Sequence, residues 1–399
     1  MKKLFYTLLL PILILNGATA QWIPLNSGTD STLLSVYFTG ANTGYTVGNG
    51  GTILKTTNAG ALWTTQGSGV PYILTSVYFT SADTGFTVSV NEFGIVNPIL
   101  KTTNGGATWT VIFNDTLHGL ASVYFTGVNT GFCVDEAGRI LKTTNGGTNW
   151  TMQDAGTGHS LNSVYFPGTN TGYMVGDDGT ILKTTNGGTT WTLQSSGTSN
   201  ELSSVCFTDS LIGYTVGLAG AILKTTNGGI SWISLNSGNT NDLWSVYFPD
   251  ANTGYAVGES GTILKTTDGG TTWKSQVSGT SKSLYSVYFT DANTGYVVGD
   301  SGIILKTTNG GFPEDVNEIS ISNSLKIYPN PASNQITIVT SATPAQNQLS
   351  IMNLCGQEVL THQIIKTKTQ LDISSLPGGV YFVRLTNDRT VSIGKFVKQ

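Results

Sequence analysis

"SVYFPGTNTGYMVGDDGTILKTTNGGTTWTLQSSG" runs from Ser163 to Gly197. Short runs of β-branched and aromatic residues alternate here with clusters of Gly, Asn, Asp and Thr, the composition of strands joined by tight turns. Four strands are expected: A in "LNSVYF" (161–166), B in "TGYMVG" (171–176), C in "GTILKTT" (179–185) and D in "WTLQSS" (191–196). The runs do not alternate cleanly between apolar and polar residues, as expected of a sheet covered on both faces.

The same words recur along most of the chain. "SVYF" begins at Ser35, Ser76, Ser122, Ser163, Ser245 and Ser286, with "SVCF" at Ser204, in steps of 41, 46, 41, 41, 41 and 41 residues. "ILKTT" begins at Ile53, Ile99, Ile140, Ile181, Ile222, Ile263 and Ile304. A period near forty with four strands per copy predicts an all-β, seven-bladed β-propeller over residues 21–312. Six copies open strand D with a tryptophan: Trp63, Trp109, Trp150, Trp191, Trp232 and Trp273. The seventh "ILKTTNGG" passes straight into "FPEDV" without one. "QWIPLNSG" near the start nearly repeats "SWISLNSG" at Ser231–Gly238. Trp22–Gly28 is therefore expected to supply the missing D strand, closing the ring at Trp22 and removing an exposed sheet edge.

Ahead of that strand, residues 1–20 read as a secretory signal: Lys2 and Lys3, an apolar stretch interrupted by Pro11, and "ATA" ending at Ala20. The stretch is too short and wrongly flanked for a stable membrane span. The formal charge of −4 becomes about −6 without the two leader lysines, which gives no attraction to phosphate backbones and argues against nucleic acid as a partner. Cys133 and Cys206 replace residues of the repeat, and with Cys355 they make an odd count, so buried thiols are expected rather than a disulfide framework. A monomer is expected.

The C-to-D turn, "TTDGGTTW" at Thr266–Trp273 and "TTNGG" variants elsewhere, resembles the Asp-box or BNR repeat. Asn58, Asn104, Asn145, Asn186, Asn227 and Asp268 take its acidic or amide position, and the six tryptophans its last. The resemblance implies reinforcement of the fold rather than ligand binding. The whole unit also resembles the repeats of the photosystem II assembly and stability factor family, over about Gln21–Gly311.

After a polar linker (313–322), residues 323–399 carry "LKIYPNPASNQITI", "LSIMNLCGQEVL", "LDISSLPGGVYFVRL" and a terminal "GKFVKQ". Alternating runs broken by Pro, Gly and Asn predict a compact β-sandwich. "YPNP", "LPGGVYFVRL" and the lysine-bearing last strand together resemble the type A sorting domain of the type IX secretion system. That resemblance implies a Bacteroidota-type bacterium, the type IX machinery as partner, and a tail removed after passage to the cell surface or medium.

Comparison of the copies locates candidate chemistry. The turns of one rim are monotonous, whereas the D-to-A loops and B-to-C hairpins of the other vary, so a specific site belongs on the latter. The hairpins carry Asn49, Glu136, Asp177 with Asp178, Leu218, Glu259 and Asp300. The second has a longer loop with Glu92 and Phe93. The residue before each "SV" is Leu34, Thr75, Ala121, Asn162, Ser203, Trp244 or Tyr285. Trp244 is the one tryptophan outside the repeat position; it and Tyr285 are expected side by side at the mouth of an axial channel. Tyr72, His118 and His159 lie in loops of the same rim. Aromatic rings with acidic and amide neighbours suit stacking on sugars or gripping a peptide; packing of Trp244 in the channel is the plain alternative.

Asp-box propellers include sialidases, which hold a carboxylate with an arginine cluster. Arg139 is the single arginine before the tail, so no such cluster can form. A polysaccharide hydrolase drawing on Asp177, Asp178, Glu259 and Asp300 is the alternative function, and a surface protein without selective ligand the third. The three histidines lack metal-ligand spacing, so neither a metal site nor a cofactor is expected.

Overall fold

The computed structural model describes residues 22–91, 96–311, 320–321, 325–339, 347–354, 357–364, 366–386 and 390–399. The leader and the Glu92–Phe93 loop lie outside the described residues. The chain divides into two compact units at Phe312/Pro313.

The first unit is built of four-stranded antiparallel sheets, one after another. In the fourth repeat the strands are Leu161–Tyr165, Gly172–Gly176, Ile181–Thr184 and Thr192–Gln194. Ser163 faces Val175, Tyr173 faces Lys183, and Leu182 faces Leu193. These strands are shorter than their apolar runs because the flanking Trp, Thr and Ser side chains serve the turns. The B strand is buried throughout, as its unbroken "GYMVG" run requires. Strand Ile23–Leu25 pairs antiparallel with Ile304–Thr307, with Ile23 opposite Lys306 and Leu25 opposite Ile304.

Each C-to-D turn is wound around one side chain. Thr184 Oγ1 donates to Asn186 Oδ1 at 2.9 Å and accepts from the Gly188 N–H at 3.0 Å. Asn58, Asn104, Asn145, Asn186, Asn227 and Asp268 each accept, through Oδ1, the N–H four residues on, at 2.9–3.0 Å. The carboxylate of Asp268 gains a further donor in Thr272 Oγ1 at 2.7 Å. Behind the turn the tryptophan lies edge-on to the A-strand phenylalanine, as in Trp63 on Phe38 at 6.1 Å and Trp191 on Phe166 at 5.8 Å. Trp22 meets Phe289 in the same way at 6.0 Å.

Neighbouring sheets are latched at these turns. Lys183 Nζ and Tyr173 Oη both donate to the Gly228 carbonyl of the next repeat, at 2.6 and 2.7 Å. Lys55, Lys101, Lys142, Lys224 and Lys265 repeat the latch on the following turn. Lys306 reaches Ala59 O at 2.7 Å. The lysine ammonium groups lie over the B-strand rings, as Lys183 Nζ does over Tyr173 and Lys306 Nζ over Tyr296, so this row of cations is scaffold rather than a basic patch. Cys133 and Cys206 are buried free thiols, and burial pushes both up in pKa.

The second unit packs a five-stranded sheet and a three-stranded one around Ile336, Ile338, Leu349, Ile351, Val383 and Phe396. Ser320–Ile321, expected in the linker, pairs in parallel with Thr390–Val391 as an outer strand. The "YPNP" motif docks on the final strand: Asn330 Oδ1 accepts from Val397 N at 2.9 Å and its Nδ2 donates to Lys395 O at 3.1 Å. Residues that are distant in the sequence motif set thus form one local structure.

Candidate functional site

The variable residue before each "SV" pair occupies a special backbone position. In all the A–B pairings the register slips there, between Leu33 and Ser35 in the first repeat and between Leu284 and Ser286 in the last. Leu34, Thr75, Ala121, Asn162, Ser203, Trp244 and Tyr285 are thus bulge residues. A bulge leaves its extra residue outside the ladder and re-aims the side chain. The ladder does not restrict its identity, which explains why this position diverges while its neighbours do not. In five repeats the loop before the bulge also approaches closely, so that a Cβ on Gly176 would lie 1.9 Å from Ser160 O, whereas Ser89 and Asp135 take the equivalent position in the second and third repeats.

Trp244 and Tyr285 stand on adjacent repeats with ring centroids 6.2 Å apart and planes tilted 44°. Both are half-buried, and the buried indole N–H of Trp244 has no acceptor among the described residues. Burial and then the charge of Asp300 push the Tyr285 hydroxyl up in pKa. Asp300 Oδ1 in turn accepts from Thr32 Oγ1 at 3.2 Å.

Asp177 joins a second group. Asn162 Nδ2 donates to Asp177 Oδ1 at 3.3 Å, to Glu201 Oε1 at 3.2 Å and to Leu202 O at 3.1 Å. Burial, then the charges of Asp177 and Asp242, push the Glu201 carboxyl up in pKa. Two carboxylates therefore share one amide donor, one of them held closer to its neutral form. Asp178 turns the other way, with Oδ2 3.9 Å from His159 Nε2. Glu259 is exposed and its side chain has no hydrogen-bond partner among the described residues; its N–H donates to Asp242 O at 2.8 Å. Tyr72 is half-buried and its carbonyl takes the Gly51 N–H, which fixes its loop but does not bring it to Trp244.

The expected carboxylates thus fall into separate neighbourhoods rather than one cluster. Glu201 and Asp242 were missed: they sit in D-to-A loops one residue before a buried leucine, a position that varies between copies as the bulge position does. Arg139 is engaged within the scaffold, with Nη2 3.2 Å from Asp115 Oδ1 and 2.5 Å from Asp135 Oδ2. Among the described residues, no group of three or more His, Cys, Asp or Glu side chains is placed to hold a metal ion, and no helix is long and apolar enough to cross a membrane.

Successive four-stranded antiparallel blades with a separate motif-bearing sandwich define a propeller-type protein with a sorting tail. The repeat region matches the family described as photosynthesis system II assembly factor YCF48 over residues 15–158, 150–240 and 238–337, and the chain belongs to that family. Residues 326–399 match the secretion system C-terminal sorting domain. Among solved structures, YCF48 bound to D1 peptide is similar at 22% identity and a TM-score of 0.62, covering 73% of this chain and 96% of that one. YCF48 from Cyanidioschyzon merolae gives 22% identity, a TM-score of 0.60, and 72% and 98% coverage. PorZ, a bacterial surface component of the type-IX secretion system of Porphyromonas gingivalis, is similar at 11% identity and a TM-score of 0.52, over 90% of this chain and 58% of its own. At these identities the likeness is one of fold. No curated protein matches the chain. The tail implies recognition by the type IX secretion machinery and a secreted or cell-surface location.

Proposed function

We propose that the protein is a non-catalytic recognition module: a seven-bladed propeller closed by its N-terminal strand, freed of its leader near Ala20, that binds an extended polymer across its variable rim. Pairing of Ile23–Leu25 with Ile304–Thr307 supports the closed ring, as do Lys306 on Ala59 and Tyr288 Oη on Phe38 O at 3.0 Å. The observation that carries the binding reading is the Trp244–Tyr285 pair, two half-buried rings presented by neighbouring bulges beside Asp300. Such rings bring large contact area at little entropic cost, and Asp300 beside Tyr285 supplies orientation. A protein segment is the favoured ligand, because a family member is known bound to a peptide. Tyr72, Asp177, Asp178 and Glu259 extend the same rim. Trp244→Ala with Tyr285→Ala, tested against immobilised peptide and glycan libraries, is expected to abolish binding while leaving the circular dichroism spectrum unchanged. Retained binding in the folded double variant refutes the reading.

A hydrolase is the second reading, and the Asp177–Asn162–Glu201 group is what favours it. A carboxyl pushed up in pKa by burial and sharing a donor with a second carboxylate is the pattern of an acid and its partner. Release of reducing sugar from polysaccharides, lost in Glu201→Gln, would replace the binding reading with this one.

A further inference from the structure

A cavity of about 590 Å³ opens between the third and fourth repeats, away from the Trp244–Tyr285 pair. One wall is the D-to-A loop Gly156–His159; the other is formed by the hairpin at Asp178 and the D strand with its following loop, Leu193–Ser199. Two departures from the repeat converge here. Gly158 stands where the other loops carry Asp30, Pro71, Leu117, Ser199, Thr240 and Ser281, and a Cβ on it would meet nothing within 4 Å. His159 and Asp178 then face each other across the opening at 3.9 Å. Asp178 occupies a left-handed hairpin position, φ 52°, filled elsewhere by Gly50, Ala219, Ser260 and Ser301.

The lining decides the ligand class. Among the described residues no lysine or arginine borders the cavity, so an anion finds no fixed counter-charge there, and Asp178 is the single carboxylate of the lining. Hydroxyl groups predominate, and those of Ser195 and Ser199 make no hydrogen bond to other described residues. Leu193, in the same lining, exposes 67% of its surface. Hydroxyl donors and acceptors around one apolar patch match a ligand that is hydroxylated at its edge and carries C–H groups on its face. The volume falls within the range of small-molecule sites.

We propose that this cavity binds a neutral saccharide of about two or three rings, with Asp178 accepting from vicinal hydroxyls and Leu193 beneath the ring face. It is a site separate from the aromatic pair and stands or falls independently of it. The test uses the full chain, labelled with ¹⁵N, titrated with maltotriose, cellotriose and tri-N-acetylchitotriose, and with tri-galacturonate as the charged control. At least one neutral trisaccharide is expected to shift the amides of Gly156, Gly158 and Gly197 saturably below about 10 mM. Asp178→Gly and Leu193→Ser each install a residue that another repeat uses at the same place, so the fold is preserved. Each is expected to weaken the titration about tenfold, while Trp244→Ala leaves it unchanged. The proposal is overturned if no neutral trisaccharide moves these amides, if both variants bind as the parent does, or if tri-galacturonate binds equally well.

Discussion

Replacing Trp22 by alanine tests how the chain ends meet. Trp22 is fully buried, edge-on to Tyr255 at 6.1 Å and to Phe289 at 6.0 Å. Its indole N–H has no acceptor among the described residues, so the whole effect of the substitution is lost packing. Removing a buried tryptophan side chain costs about 3–5 kcal/mol. At about 2–4 °C per kcal/mol for a domain of this size, Tm should fall by about 6–20 °C. Trp63→Ala is the internal standard, since Trp63 holds the same repeat position within one continuous stretch of chain and is 5% exposed. Differential scanning calorimetry of both variants, in chain lacking residues 1–20, reads the comparison. A Trp22 variant within about 0.5 kcal/mol of the parent, beside a Trp63 variant that loses several, would show the N-terminal strand to be dispensable and refute a closed ring.

Three further outcomes are expected. Lys306→Met and Lys183→Met each remove one charged donor from a carbonyl, so denaturant titrations should show matching losses of about 1.5–3 kcal/mol; a silent Lys306 variant beside a destabilised Lys183 variant would contradict a latch of the last repeat on the first through this lysine. Hydrogen bonds from Thr272 and Thr266 hold the Asp268 carboxyl down to about 2, below its ordinary 3.8. Its contribution to stability is therefore complete above the ordinary value and is lost as pH falls through the depressed one, so Asp268→Asn should remove that acid-sensitive component from the stability–pH curve, and an unaltered curve contradicts it. Mass spectrometry of protein recovered from the medium should find residues 326–399 missing, and deletion of that segment should retain the chain inside the envelope; an intact tail on released protein contradicts removal.

The all-β repeat architecture was legible because its determinants recur at fixed spacing. Seven lysines in one strand position and one Asn or Asp in each full turn are visible in the sequence, and their hydrogen bonds repeat with them. The site was legible only in part. Comparing copies exposed Trp244 and Tyr285 as divergent, yet the bulge that re-aims them leaves no mark of its own in the sequence, since Ser89 and Asp135 stand beside it in two repeats where the others have glycine. Asn162 and Glu201 lie 39 residues apart and meet only because one repeat's bulge faces the next repeat's loop. Asp177 and Asp178 are adjacent in sequence but serve different neighbourhoods, since the left-handed turn at Asp178 sends their side chains apart.

The two rims differ in what holds them, and that difference explains where specificity can arise. On the latched rim, side chains carry the connections: a Lys ammonium and a Tyr hydroxyl converge on one turn carbonyl, and a Thr hydroxyl and an Asn amide wind the turn itself. A substitution there removes a bond that neighbouring repeats also depend on. On the other rim the hairpins are held chiefly by backbone groups, such as Gly176 N on Thr180 O and Asp177 N on Ser160 O at 3.1 and 3.0 Å. Side chains at those positions can change without loosening the sheet. Divergence therefore accumulates on the backbone-held rim at little structural cost. That is where Trp244, Tyr285 and Asp178 stand, on a frame braced by the side-chain latches of the opposite rim, so these positions can vary without loosening the sheets.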